Sequence, residues 1–392
     1  MIDQIKGLSH KYWRSTVDVR RYLHSHPELS FNEIKTSRYI ESELRKLPLD
    51  SLSRIDQNGL LGTIQGSGSG KTILLRADID ALPILEENQH DFVSKNTGVM
   101  HACGHDAHTS MLIAVGKILC DLKDHWNGTV KLLFQPAEEK IPGGAPLMIK
   151  GGVLENPKPL SVIGQHVKPE LEVGKVGVRS GKFMASSDEI YIKFIGKGGH
   201  GAMPDHCIDP VLIAGHFLVA AQQIVSRNAN PKIPTVLSFG KIIGNGATNV
   251  IPDSVILEGT LRTLDEEWRK EALQKVKKLA IGLAESMGGK CDLDIAHGYP
   301  FLQNNEALSS NLKKGMEEYM SPENVVDEDI WMAAEDFAYY SHELPSCFYL
   351  LGVGNEEKNI TSGLHTPTFD IDESAMETGA GLMAFLAIRE LQ

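Results

Sequence analysis

Thr72-Ile73-Leu74-Leu75-Arg76-Ala77-Asp78-Ile79-Asp80-Ala81-Leu82-Pro83 is a short apolar run that ends in two carboxylates. A near-continuous apolar stretch of strand length is the pattern of a strand buried on both faces. Asp78 and Asp80, two residues apart, share one side if the extended chain continues. The arrangement recurs. Residues 129–134 empty into Gln135-Pro136-Ala137-Glu138-Glu139, and residues 160–164 into Gln165-His166. Residues 347–353 lead to a loop that reaches His365 in Gly363-Leu364-His365-Thr366-Pro367. Between the first two runs, residues 107–122 read as an apolar helix that opens directly after His101-Ala102-Cys103-Gly104-His105-Asp106-Ala107-His108. Strand, helix and strand with chemistry at the strand ends is the order of an α/β fold: an open mixed sheet with helices on both faces, whose sites form beyond the carboxyl ends of the strands.

The middle of the chain has another rhythm. Strand (190–195), helix (209–228), strand (235–243), strand (254–263), helix (265–287) and strand (291–296) follow the ferredoxin-like βαββαβ order. Residues 184–297 are therefore expected to be an inserted domain, and residues 1–183 and 298–392 to form one domain around the clustered His, Cys and carboxylates. At the start, residues 2–46 read as helical with a break at Pro27, and Ser30 with Glu33 resembles a capping box that restarts the helix at about Phe31. Residues 373–391 read as a closing amphipathic helix.

A chain of 392 residues favours two domains. A net charge of −12 without a basic run argues against nucleic acid or an anionic membrane surface as partner and leaves a small molecule or peptide. Neither a signal-type apolar stretch nor the roughly 20 apolar residues of a membrane span is present, so a cytoplasmic protein is expected. Its 5 cysteines, an odd and scattered number, make no disulfide framework and suit a reducing compartment. Cys120, Cys207, Cys291 and Cys347 read as structural.

Asp78, Asp80, His101, Cys103, His105, Glu138, Glu139, His166 and His365 exceed what one closed tetrahedral site uses. Two divalent metal ions sharing a bridging ligand and a water would use most of them. Gly104 between Cys103 and His105 allows the unusual backbone through which both side chains can converge. Of adjacent Glu138 and Glu139, one carboxylate can bind metal while its neighbour accepts the proton of a metal-activated water. A thiolate with imidazoles favours zinc, and carboxylates in a partly open site admit manganese, cobalt or nickel. Asp80 is expected to orient a ligand histidine, with Asp78 and Asp106 as alternatives, and His101 and His108 to be supporting or structural.

His101-Ala-Cys-Gly-His105-Asp, Gln135-Pro-Ala-Glu-Glu139, Gln165-His166-Val, Gly198-Gly-His200-Gly-Ala-Met-Pro204, Thr248-Asn-Val-Ile-Pro252, Ala334-Glu-Asp-Phe337 and Leu364-His-Thr-Pro367 together resemble the amidohydrolase branch of the aminoacylase and glutamate-carboxypeptidase metallopeptidase family. Hippurate hydrolase, indole-acetyl-amino-acid hydrolase and bacterial N-acyl-amino-acid amidohydrolases belong to that branch, and the likeness runs from His24 to the last helix. It implies a metal-dependent amidohydrolase that releases an amino acid from its N-acyl form, working as a homodimer. Cys103 would bridge two metals, with Glu139 and His365 completing one site and His105 and His166 the other. Glu138 would be the general base and then the acid. His200, in an inserted lid or dimerisation domain, would reach a partner's active site and stabilise the oxyanion, and Asn249 and Arg262 would lie near the substrate carboxylate. Ala334, where relatives often carry Ser, and Gln165, where many carry Leu, depart from the pattern and bear on substrate choice. A dipeptidase, a deacetylase of a biosynthetic intermediate and a metal-dependent binding protein stay open as alternatives.

Overall fold

Thr72–Asp78 and Thr129–Gln135 are strands buried at every position, as uninterrupted apolar runs require. They pair in parallel with Asp78 opposite Gln135, so both strands end at the same level. In the computed structural model, which describes residues 1–392, they lie inside an 8-stranded mixed sheet. Its strand order is Ser51–Ile55, Gly59–Gln65, Thr129–Gln135, Thr72–Asp78, Ser161–Glu172, Ser346–Gly354, Val176–Val178, Val325–Asp327. Ser161–Glu172 runs parallel to both Thr72–Asp78 and Ser346–Gly354, whereas Gly59–Gln65 is antiparallel to its two neighbours. The helices Ile2–His24, His105–Asp121 and Ala375–Leu391 pack on one another and share a core with the sheet.

Residues Met1–Lys182, Gln303–Ile330 and Asp336–Gln392 make up this unit. Phe183–Leu302 and Trp331–Glu335 form a second one. Its 4-stranded sheet has the order Thr235–Ile243, Ser254–Thr263, Asp188–Ile195, Lys290–His297, antiparallel throughout. Buried and exposed residues alternate along Asp188–Ile195, as a sheet covered on one face demands. The helices Pro210–Gln223 and Glu266–Ser286 complete a βαββαβ order. Each starts at an aspartate: Asp209 accepts from the Val211 and Leu212 amides, and Asp265 from the Trp268 amide.

Two local expectations change. The second helix starts at Ile34, and Glu33 does not cap it by its side chain. Ser30 instead donates to Asp80 (2.6 Å), and the Glu33 carboxylate turns inward to accept from Asn58 Nδ2 (2.9 Å) and the Ala137 amide (2.8 Å). The third strand does not stop before His166 but continues to Glu172, pairing His166 with Leu350. No helix is long and apolar enough to cross a membrane.

Candidate metal centre

Gly104, at φ 86°, turns the chain immediately before the helix His105–Asp121. A Cβ there would lie 2.4 Å from the Val167 side chain, so glycine is required by conformation and by space. This turn lets Cys103 and His105 face the same centre. The Cys103 Sγ lies 3.4 Å from His166 Nε2 and 3.3 Å from His365 Nε2. His365 Nε2 is 3.2 Å from Glu139 Oε1. His105 Nε2 is 3.8 Å from Glu139 Oε1 and 3.9 Å from Glu138 Oε2. Two donor triads result, Cys103/His105/His166 and Cys103/Glu139/His365, with the thiol common to both. Cys103, His105, His166 and Glu138 are buried, while the His365 side chain is 51% exposed and forms the open side. His365 itself has φ 59°, a left-handed backbone that its amide secures by donating to the Ala102 carbonyl (2.8 Å).

Each buried imidazole is turned by the bond its other nitrogen makes. His105 Nδ1 faces Asp80 Oδ1 at 3.2 Å, and His166 Nδ1 donates to the Val167 carbonyl at 2.7 Å, which points both Nε2 atoms into the cluster. Asp80 also accepts from the Glu138 and Glu139 amides, each at 3.0 Å, so one carboxylate orients a histidine and the loop bearing both glutamates. Of the two alternatives for that task, Asp78 pairs with His108 Nδ1 (2.7 Å) and Arg76 Nη1 (2.5 Å), and Asp106 pairs with His24 and Arg20. His108 Nε2 accepts from the Val167 amide (2.9 Å), bracing the strand that carries His166. His101 is buried, and neither of its ring nitrogens makes a hydrogen bond.

The donors present suit a divalent cation. His105 Nε2 is buried without a hydrogen-bond partner, Glu139 Oε1 is buried with only the close approach of His365 Nε2, and a thiol, imidazoles and carboxylates are the ligands of borderline metals. Electrostatics agree. Burial, then the Glu139 and Glu138 carboxylates, push the Cys103 thiol well up. Burial alone would lower the His105 pKa, but Asp78 and Asp80 outweigh it and raise it to about 10. Burial with His108 alongside pushes His166 well down. The surplus negative charge that holds protons on Cys103 and His105 is the same field that favours a cation, whose binding releases those protons.

Three residues escaped the sequence reading of this site. Glu33 fastens the Ala137 amide, and Ala137 takes φ 57° just before the two glutamates. Asp336 accepts from Arg76 Nη2 (2.7 Å), Gln135 Nε2 (2.7 Å) and the Ala145 amide (2.9 Å), securing both ends of the same loop. Ser30 buttresses Asp80. The Ala334-Glu-Asp-Phe337 motif flagged Asp336 without its role; the other two sit in a stretch read as a helix cap.

His200, Asn249 and Arg262 belong to the second unit. His200 is exposed in a short ladder opposite Val250, its Nδ1 accepts from the Ala202 amide (3.1 Å), and the Gly201 amide donates to the Asn249 carbonyl (2.9 Å). His200 and Asn249 are thus neighbours. Arg262 lies on Ser254–Thr263 opposite Val236, where burial lowers its pKa although Glu189 and Asp188 oppose this.

The profile of peptidase family M20/M25/M40 matches residues 74–389. An N-acyl-L-amino acid amidohydrolase of Geobacillus stearothermophilus is 41% identical over 76% of the chain and 80% of its own length. The IAA-amino acid hydrolase ILR1-like 4 of Arabidopsis thaliana is 36% identical over 96% and 85%. Among solved structures, the Bacillus subtilis YXEP protein, described as a dinuclear metal-binding peptidase, superposes with a TM-score of 0.82 at 32% identity, covering 97% of this chain and 99% of that one.

Proposed function

The chain belongs to peptidase family M20/M25/M40 and is a metal-dependent hydrolase of amide C–N bonds, and from that premise we propose that its substrates are N-acyl amino acids, cleaved to a carboxylic acid and the free amino acid. The observation that carries the reading is Cys103 shared by two donor triads with Glu138 beside them. Cys103, Glu139 and His365 would hold one divalent ion, and Cys103, His105 and His166 the other. Zinc or manganese suits this donor set best, with cobalt or nickel as substitutes. When bound, the ions would acidify a water and polarise the scissile carbonyl.

Glu138 takes the proton of the attacking water and returns it to the leaving amine. Its placement supports the role: the side chain is buried, and the backbone amide is anchored on Asp80. Burial keeps competing water from the carboxylate, and the Asp80 bond prevents the loop from carrying it away. His200 is assigned to the oxyanion of a partner subunit in a homodimer, a role that suits an exposed imidazole at the end of a short strand. Arg262 is assigned to the substrate carboxylate, which a guanidinium can bind through two hydrogen bonds, with Asn249 assisting. The second unit is then the lid or dimerisation domain. Unpaired cysteines fit the cytoplasm as its place of action.

The test is hydrolysis of a panel of N-acetyl, N-benzoyl and indole-acetyl amino acids and of unblocked dipeptides, by chelator-treated protein refilled with zinc or manganese. Metal-dependent turnover of the acylated substrates is expected. Turnover of dipeptides alone overturns the substrate class, and metal-loaded protein without any turnover overturns the enzyme reading.

A further inference from the structure

A second cluster of metal-competent side chains lies in the first unit and shares no residue with the Cys103 centre. His24 is completely buried at the end of Ile2–His24, with Nδ1 2.8 Å from Asp106 Oδ2 and Nε2 3.1 Å from Glu86 Oε1. His90 Nε2 is 3.4 Å from the same Glu86 oxygen, yet both ring nitrogens of His90 are shielded from solvent and make no hydrogen bond. The donor atoms of His24, Glu86 and His90 all fall within 4.8 Å of one another. Bonds of about 2.0–2.2 Å place the ligand atoms of a tetrahedral ion about 3.3–3.6 Å apart, so the contacts of 3.1 and 3.4 Å to Glu86 are near that spacing. Asp106 holds His24 in the manner of a carboxylate behind a ligand histidine: the bond on Nδ1 fixes the ring and directs Nε2 to Glu86.

Charge points the same way. Arg20 is buried among Asp106, Asp370 and Glu373, and Arg21 pairs with Glu373. With Glu86 added, four carboxylates face two guanidiniums, so without a proton on His24 the deficit equals one dication. Phe92 stacks on His90 (centroids 3.7 Å apart, planes at 11°) and meets His24 edge-on, which fixes both rings and keeps the pocket dry on that side. A proton on His24 is the competing occupant, but it leaves the His90 nitrogens unsatisfied.

We propose that His24, Glu86 and His90 form a further divalent-cation site, for zinc or another borderline metal, with water as fourth ligand. The ion fastens the end of Ile2–His24 to the segment 84–96 and takes no part in the hydrolysis. The His90 side chain, 19% exposed, is the natural residue to remove, because no hydrogen bond is lost with it. Metal content is measured on the full chain after equilibrium dialysis against zinc, for wild type, His90→Ala and His90→Gln, alongside turnover of the best panel substrate. Both variants should bind one equivalent fewer per chain and keep wild-type turnover; if only one of them folds, that one decides. Equal metal content in wild type and variant overturns the site, and so does a variant whose metal loss brings turnover down, because the ion would then belong to the catalytic centre.

Discussion

Replacing Asp80 by asparagine tests how far the centre depends on a residue proposed to act only by orienting His105 and the loop of Glu138 and Glu139. Asp80 Oδ1 faces His105 Nδ1 (3.2 Å) and the Glu138 amide (3.0 Å), and Oδ2 accepts from Ser30 Oγ (2.6 Å) and the Glu139 amide (3.0 Å). Asparagine keeps one oxygen. Its better orientation leaves that oxygen on His105 and Glu138 and sets its NH2 against Ser30, whose hydroxyl can turn to accept, and against the Glu139 N–H, which cannot. One buried backbone donor is orphaned, at about 1–3 kcal/mol. The remaining bonds lose charge assistance, which about halves their strength. The variant is therefore expected to fold with stability lower by about 1–3 kcal/mol and to lose about 10–100-fold in metal affinity or kcat/KM. Denaturant unfolding reads the first quantity, and equilibrium dialysis with turnover at saturating metal reads the second. A variant that is destabilised as expected but retains wild-type metal affinity and kcat/KM would refute the reasoning, because the bonds would then hold the fold and not the centre.

Two further outcomes follow from neighbouring carboxylates. Glu138→Gln preserves shape and removes the proposed proton carrier, so kcat should fall by about 10²–10⁴-fold with metal content unchanged; unchanged kcat sinks the assignment. Glu33 has a pKa raised to about 7, by burial first and by the Asp80 carboxylate second, from an ordinary value of 4.5. Between those values the unfolded chain gives up the proton and the folded chain keeps it, so stability falls as pH rises from about 4.5 to 7. The difference, 7 − 4.5, is about 2.5 pH units, on the order of 3 kcal/mol. Urea unfolding of wild type and Glu33→Gln at both ends of that range should show the wild type losing more stability, and parallel pH profiles would rule the ionisation out.

Much of the sheet was readable because its central strands are buried on both faces and therefore appear as uninterrupted apolar runs, as in Thr72–Asp78 and Thr129–Gln135. The edges were not. Ser51–Ile55 is largely exposed and Val325–Asp327 has only 3 residues, so neither leaves an apolar signature. His166 looked like a residue beyond a strand because polar Gln165 and His166 interrupt the run. Both are buried, Gln165 accepting from the Tyr349 hydroxyl (2.8 Å), so the strand continues through them. Glu33 shows the limit most directly. Read locally it matches a helix cap, but its partner Ala137 is 104 positions away, and no nearby residue type announces that bond.

The pair Glu138-Glu139 poses the harder question of why two adjacent carboxylates can serve one centre. In extended chain, neighbouring side chains point to opposite sides, yet both glutamates lie within 3.9 Å of His105 Nε2. The chain is not extended there: it bends through Glu138 and Glu139 themselves, and it enters that bend at Ala137, whose φ of 57° costs an L-residue on the order of 1–2 kcal/mol. Three bonds hold that turn: Glu33 on the Ala137 amide, and Asp80 on the amides of Glu138 and Glu139. All come from carboxylates outside the loop, buried where their bonds are strongest. The residues that set the geometry are thus carboxylates facing backbone, in segments that a search for metal ligands or acid–base pairs passes over. Their loss should therefore weaken metal binding and proton transfer together, because one strained turn positions the proposed ligand Glu139 and the proposed base Glu138.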